Sequence, residues 1–200
     1  MGKLGLTLLV TSLLLSGCGA SQSATKQAGS SSEASSSKLA DTAAIGDAQK
    51  KIKVTVEGAI RQFHQEFGNA AVVTELSLEP NGTRYAYRLS GVDSNREYEL
   101  TVDAQNGKQR HVRQEKLDAD EDQGVARKQE GIDTNQLQSL AAITRAATKK
   151  VNGHAISWSL DREDGQAQWE VKVKSGQAYH EVTLDASTGK VLATERDVDD

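Results

Sequence analysis

One cysteine, Cys18, stands in a chain of 200 residues. A secreted protein with a single cysteine forms no internal disulfide, and no cysteine is left to join a histidine in a zinc site. Aromatic residues make up 4% of the chain and the mean hydropathy is −0.56, so the core is modest and mostly aliphatic. A basic excess is also missing. The formal charge is −4 and the isoelectric point is near 5.6, which argues against nucleic acid as a partner, because phosphates call for a basic face.

The usual signatures of catalysis are absent as well. No Gly-x-Ser-x-Gly elbow occurs, and no glycine-rich loop precedes a helix to cradle phosphate. The serines crowd into the N-terminal region and the polar faces of strands, away from any acid and histidine that could activate them. Glu97 and Glu99 fall on a wet strand face, where charge discourages edge pairing. His64, His111, His154 and His180 form no close pair. Asp118, Asp120 and Asp122 have calcium-loop spacing, but the sixth and twelfth places hold Gln123 and Gln129, and Gly124 is one step late. No catalytic residue, metal ligand or cofactor is expected, and the Asp118–Asp122 run reads as a solvated acidic linker.

What is present begins at the N-terminus. Lys3 precedes an apolar run from Leu4 to Leu15, too short for a membrane span of about 20 residues but suited to a secretory signal. The run ends in Leu15-Ser16-Gly17-Cys18. This resembles the bacterial lipobox, an aliphatic residue and two small ones before cysteine. The resemblance implies that Cys18 is lipidated on sulfur and becomes the new N-terminus, holding the protein to the extracytoplasmic face of the cell membrane. Several buried acyl chains supply the hold at about 0.8 kcal/mol per methylene. The following Ser, Ala, Gly and Gln residues have no period and little to bury, so they read as a flexible tether. The expected boundaries are a signal peptide at 1–17, lipidated cysteine and tether at 18–52, a first domain at 53–115, a linker at 116–132 and a second domain at 133–200.

The rest of the chain repeats itself. "LTVDAQNGKQ", Leu100 to Gln109, aligns without a gap on "VTLDASTGKV", Val182 to Val191. Asp103 matches Asp185 and Gly107 matches Gly189. Upstream, Val56, Ala59, Ile60, Phe63 and Phe67 recur at helical spacing, with Thr55 as N-cap and Gly68 as stop. Leu137, Leu140, Ile143, Ala147 and Val151 form a second stripe, with Asp133 or Thr134 as cap and Gly153 as end. Each helix is followed by segments with period-two alternation and turn signals at Pro80-Asn81-Gly82, Asp164-Gly165 and Ser175-Gly176. Tyr85, Tyr87, Tyr98, Trp158 and Trp169 all fall on the buried phase, as core or as the lining of a groove. The fold class is α+β: two similar small domains, each a helix packed on an antiparallel β-meander. A unit of about 65 residues is marginal alone, which gives the copies reason to pack together.

In the repeated phrase, the aspartate leaves the strand to bond backbone amides of the turn and the glycine supplies positive φ. Asp103, Gly107, Asp185 and Gly189 are therefore structural turn residues. An Ala-Ile helix followed by a meander ending in strand-Asp-Ala-x-x-Gly-Lys-strand resembles the PepSY domain. Ala59, Ile60, Asp103, Ala104, Gly107 and Lys108 carry the match once; Ala142, Ile143, Asp185, Ala186, Gly189 and Lys190 carry it again. The resemblance implies a non-enzymatic module that binds an envelope or secreted protein, with a peptidase as the implied partner. The alternative is an envelope lipoprotein that binds a small ligand or cation, through Asp118–Asp122 or an aromatic groove.

Overall fold

The computed structural model describes residue 48 and residues 51–197. Helix α1 (Val56–Phe67) leads into β1 (Val72–Asn81), β2 (Arg84–Val92), β3 (Arg96–Asp103) and β4 (Gln109–Lys116). A short helix α2 (Val125–Glu130) and a 3-10 turn (Thr134–Gln136) lead to α3 (Leu140–Lys150). Then come β5 (His154–Glu163), β6 (Gln166–Ser175), β7 (Ala178–Asp185) and β8 (Val191–Asp197). A helix followed by four antiparallel strands thus occurs twice.

The two meanders do not form separate sheets. They join edge to edge in one eight-stranded antiparallel sheet of order β4-β3-β2-β1-β5-β6-β7-β8. The joint pairs Leu76 with Leu160, Ser77 with Ser159, and Leu78 with Trp158. In the repeat alignment Ser77 corresponds to Ser159, Leu76 to Trp158 and Leu78 to Leu160. The two serines therefore face each other, Leu76 faces the counterpart of Leu78 and Leu78 that of Leu76, and a local two-fold runs through the serine pair, as at a symmetric dimer interface. Directly opposed residues of an antiparallel pair share a face, so Leu76, Leu78, Trp158 and Leu160 lie on one side, all but fully buried.

Both helices cover that side. Thr55 caps α1 by accepting from the Gly58 amide, and Val56, Ala59, Ile60 and Phe63 are its buried stripe. Ser139 caps α3 by accepting from the Ala142 amide, and Ile143, Thr144 and Ala147 are buried. Buried Thr144 is satisfied twice: its hydroxyl donates to Leu140 O at 2.7 Å and accepts from Trp158 Nε1 at 2.9 Å. Such pairing removes the cost of leaving a buried polar group unbonded.

The copies use different pieces to fill equivalent space. Phe63 is fully buried over Gly91, whose missing Cβ would lie 2.5 Å from Phe63 Cζ and against the Val72 carbonyl. In the second copy the corresponding helix and strand residues are Ala146 and Val173. The large residue sits on the helix once and on the sheet once, so local volume is kept.

Four expectations need correction. The α3 region does not begin as α-helix at Asp133 or Thr134. Asp133 caps only the 3-10 turn, and Leu137 is extended so that the Gln138 amide can reach Ala186 O at 2.8 Å. The helix also ends before Gly153, with Val151 as its C-cap. The tether does not stay free to residue 52: Ala48 is buried and Ile52 packs on the core. The 116–132 stretch is not a bare solvated linker either. Leu117 and Ala126 are buried with Val92 in a small separate cluster, and Val72 packs against it. Val92 alternates with Leu89, so α2 lies on the sheet face opposite α1. In β1, a bulge between Val73 and Glu75 puts Val73 rather than Val72 into the main core.

The complementary swap sets a test. Gly91→Val should cost about 1–3 kcal/mol by overpacking and Phe63→Ala about 3–5 kcal/mol by cavity formation. The double variant, which writes the second copy's pattern into the first, should be more stable than the sum of the two losses by at least about 0.5 kcal/mol. Urea unfolding of the three variants measures this, and strict additivity would contradict the packing account.

Candidate functional site at the turn of the second copy

Cys18 lies outside the described residues. The four turn residues lie in two backbone frames that match bond for bond. Gly107 N reaches Asp103 O and Gly189 N reaches Asp185 O, both at 2.8 Å. Asp103 N reaches Lys108 O and Asp185 N reaches Lys190 O, both at 2.9 Å. Gly107 has φ 74° and Gly189 φ 71°, a left-handed conformation that a side chain would strain.

The side chains then diverge. In the first copy, Asp103 Oδ1 accepts from the amides of Gln105 (2.9 Å) and Asn106 (3.1 Å). Its Oδ2 accepts from Arg84 Nη1 (3.2 Å) and Arg110 Nη2 (3.5 Å). Burial works against ionising Asp103, but these amides and Arg84 outweigh it and hold the carboxyl below its ordinary pKa. In the second copy, Asp185 Oδ1 alone takes four bonds: the amides of Ser187 (3.1 Å) and Thr188 (2.7 Å) and their hydroxyls (2.8 and 2.7 Å). The Thr188 hydroxyl first, then that of Ser187, lowers the Asp185 pKa to about 2. The positions of Arg84 and Arg110 are held by Gln166 and Leu192, and neither replaces a guanidinium.

A second difference opens space beside this turn. Tyr85 in the first copy is buried; its ring lies 6.1 Å from that of Trp158 and its hydroxyl donates to Ile156 O at 3.1 Å. The matching residue is Ala167. A cavity of about 350 Å³ is found there, lined by Ala167, Asp185, Ala186 and Ser187 on one side and by Gly131 to Asp133, Gln136, Leu137 and Arg162 on the other. Arg162 Nη1 is fixed by the carbonyls of Lys128 (3.3 Å) and Gly131 (3.1 Å). Asp133 is engaged with Asn135 and Gln136.

Other features are less developed as sites. An apolar slot of about 220 Å³ lies between the starts of α1 and α3, with Val54, Tyr87 and Leu140 in its wall. The Tyr87 hydroxyl there donates to Val54 O at 2.8 Å. Asp118, Asp120 and Asp122 lie in the turn that enters α2, with the Asp118 carbonyl accepting from the amides of Glu121 and Asp122. Tyr85, Tyr87, Tyr98, Trp158 and Trp169 are all buried. The cavity was missed in the sequence because the repeat was read for its likenesses. Its signal is in one difference between the copies, Tyr85 against Ala167.

A family model described as "Peptidase propeptide and YPEB domain", PepSY, matches residues 53–112 and again 138–195. The chain belongs to the PepSY family. Its two PepSY regions contain the two helices and nearly all of the eight strands, while α2 and the 3-10 turn fall between them. The PepSY pair is similar in structure to a crystallised protein from Clostridium difficile 630 provisionally classed as a lipoprotein. That likeness has a TM-score of 0.71 at 29% identity and covers 76% of this chain and 99% of that one. No curated protein matches the sequence. The cavity joins second-copy PepSY residues to Gly131–Leu137, which no PepSY match includes, so it is particular to how this pair is linked.

The depressed Asp185 pKa has a definite pH signature. A carboxylate that ionises more easily folded than unfolded stabilises the fold fully above its unfolded pKa of about 3.9. The contribution is lost as pH falls through the folded value of about 2. Carboxyl NMR should show Asp185 titrating near 2 and moving upward in Thr188→Ala. A midpoint at the ordinary aspartate value would contradict the bonding described.

Proposed function

We propose that this PepSY protein is a lipoprotein, held by lipidated Cys18 on the extracytoplasmic face of the cell membrane, and that it works as a non-enzymatic binding module. Its partner on this reading is an envelope or secreted peptidase, which it restrains or helps to fold. The observation that carries the proposal is the double PepSY match, a family defined in part by peptidase propeptides. The lipobox at Leu15–Cys18 and the likeness to a protein provisionally classed as a lipoprotein support the anchor. On this reading the residues before Ala48 serve as signal peptide and tether, and the joined sheet is a rigid platform presented to the envelope.

A pulldown from native membranes tests the proposal, with Cys18→Ala as the unanchored control. The anchored form should enrich an extracytoplasmic protein, a peptidase foremost, and mass spectrometry should find the mature chain starting at acylated Cys18. Recovery of no envelope or secreted protein, or an unmodified start elsewhere, would count against it.

A further inference from the structure

We propose that the segment from Leu117 to Glu130 is a charge-gated strap over the outer face of the sheet. It closes when the glutamates beneath it are protonated or screened by salt, and it lifts when they are ionised, baring Val72 and Val92. The inference goes beyond the binding-module reading and does not depend on any partner. Its ground is the strand register. Helices α1 and α3 cover one face of the sheet. On the other face Glu75 of β1 is paired with Ser90 of β2, Ser90 with Glu99 of β3, and Glu99 with Arg113 of β4. In the next row Val92 is paired with Glu97, and Glu97 with Glu115. Helix α2 lies on this face through Leu117 and Ala126, which pack on Val92 with Val72 beside them. Between α2 and the sheet is a crevice of about 210 Å³. Glu75, Glu97 and Glu99 line it from the sheet and Glu121 and Glu130 from the strap, and among the described residues no lysine, arginine or histidine lines it.

The strap is lightly held. Its core is Leu117 and Ala126 on Val92, and the amides of Leu117 and Gly124 donate to Asn95 O (2.9 Å) and Ser94 O (3.3 Å). Helix α2 has six residues and no side-chain cap. The chain enters it through two successive left-handed residues, Gln123 (φ 55°) and Gly124 (φ 84°), a form that is uncommon for a residue with a side chain. The far end is tied down by Arg162 Nη1, which donates to the carbonyls of Lys128 and Gly131, so the approach from Leu117 is the free side. Charge works against closure. The strap carries Asp118, Asp120, Glu121, Asp122 and Glu130 against Arg127 and Lys128. Glu97 meets Glu75 from β1, Glu99 on its own strand, Glu115 and Arg113 from β4, and Glu121 and Glu130 from the strap, while β2 presents only Ser90 and Val92. Arg113 is bonded to Glu115 and lies 3.5 Å from Glu99 Oε1. Arg96 and Lys116, paired with each other, alternate with this row and lie on the other face. Desolvation first, then Glu115, with Glu99 and Glu121 behind them, holds the Glu97 carboxyl above its ordinary range against the pull of Arg113. Lifting the strap takes Glu121 and Glu130 away, so the closed state binds a proton more tightly. Closure is therefore fully favoured below the ordinary glutamate value of 4.5 and weakens as pH rises through the closed-state value. These carboxylates are open to water, so each repulsion is small and falls with salt, but the contacts they oppose are few.

The test is amide hydrogen exchange, read by NMR on the full chain in non-ionic detergent. The amides of Leu117 and Gly124 report closure, because both bond from the strap to the β2–β3 turn. Their protection is taken relative to unstructured peptides at the same pH, which removes the intrinsic pH dependence of exchange. Between about pH 4 and about pH 7 at low salt it should fall at least about fivefold. At the higher pH, added salt should recover at least about half of the loss on a logarithmic scale. The Glu97→Gln/Glu121→Gln variant should stay protected at both pH values and respond little to salt. The amides of Trp169 and Val171 in β6 should keep their protection throughout. Strap protection that is flat with pH and salt in the unaltered chain would overturn the proposal. So would an unchanged response in the double variant, or an equal fall in β6, which would mean general loosening of the fold. None of these readouts involves a partner, so they stand apart from the membrane pulldown.

Discussion

The short ladder between β1 and β5, centred on the Ser77–Ser159 pair, is the contact on which the architecture depends. Without it, each copy would be a four-stranded meander under one helix, with β1 or β5 as a bare edge. Such an edge exposes unpaired amides and carbonyls and invites aggregation. Pairing the two edges removes both hazards in one step. It also brings Leu76, Leu78, Trp158 and Leu160 into one buried row that neither copy can form alone. The remaining edges are β4 and β8, and β4 is guarded by Arg110, His111, Arg113, Glu115 and Lys116.

Symmetry around that ladder is close in backbone and loose in side chains. Bulges recur at equivalent places, between Val73 and Glu75 in β1 and between Ala155 and Ser157 in β5. The two aspartate turns share their hydrogen bonds. Side chains differ between the copies: Phe63 and Gly91 correspond to Ala146 and Val173, and Tyr87, bonded to Val54 O, corresponds to Trp169, whose buried Nε1 has no partner among the described residues. The first copy adds two arginines to its turn aspartate, while the second bonds Asp185 through Ser187 and Thr188 of its own turn.

Much of this fold is written in local patterns. The stripe from Val56 to Phe67, the alternation in each strand, and the Asp-Ala-x-x-Gly-Lys phrase placed two helices on two meanders and pointed to the PepSY family. The joint between β1 and β5 left no such mark. A strand that pairs with a distant strand has the same period as one at an edge, so Leu76-Ser77-Leu78 reads alike in both cases. The start of α3 was obscured because the Gln138 amide is drawn to Ala186 O, a tertiary bond that overrides a helical stripe beginning at Leu137. Helix α2 has only Ala126 buried, too few contacts for a periodic signal. The site residues were legible as turn chemistry, while the cavity beside them depends on a comparison of copies and on the path of Gly131–Leu137.

If the shared sheet makes the two copies one folding unit, neither can lose its structure while the other keeps it. Differential scanning calorimetry of the full chain is the most direct measurement. A single endotherm, with the van't Hoff enthalpy equal to the calorimetric enthalpy, is the expected result for one cooperative unit. Two resolved transitions, or a van't Hoff enthalpy near half the calorimetric value, would mean that the copies melt independently and that the β1–β5 ladder does not bind them into one structure.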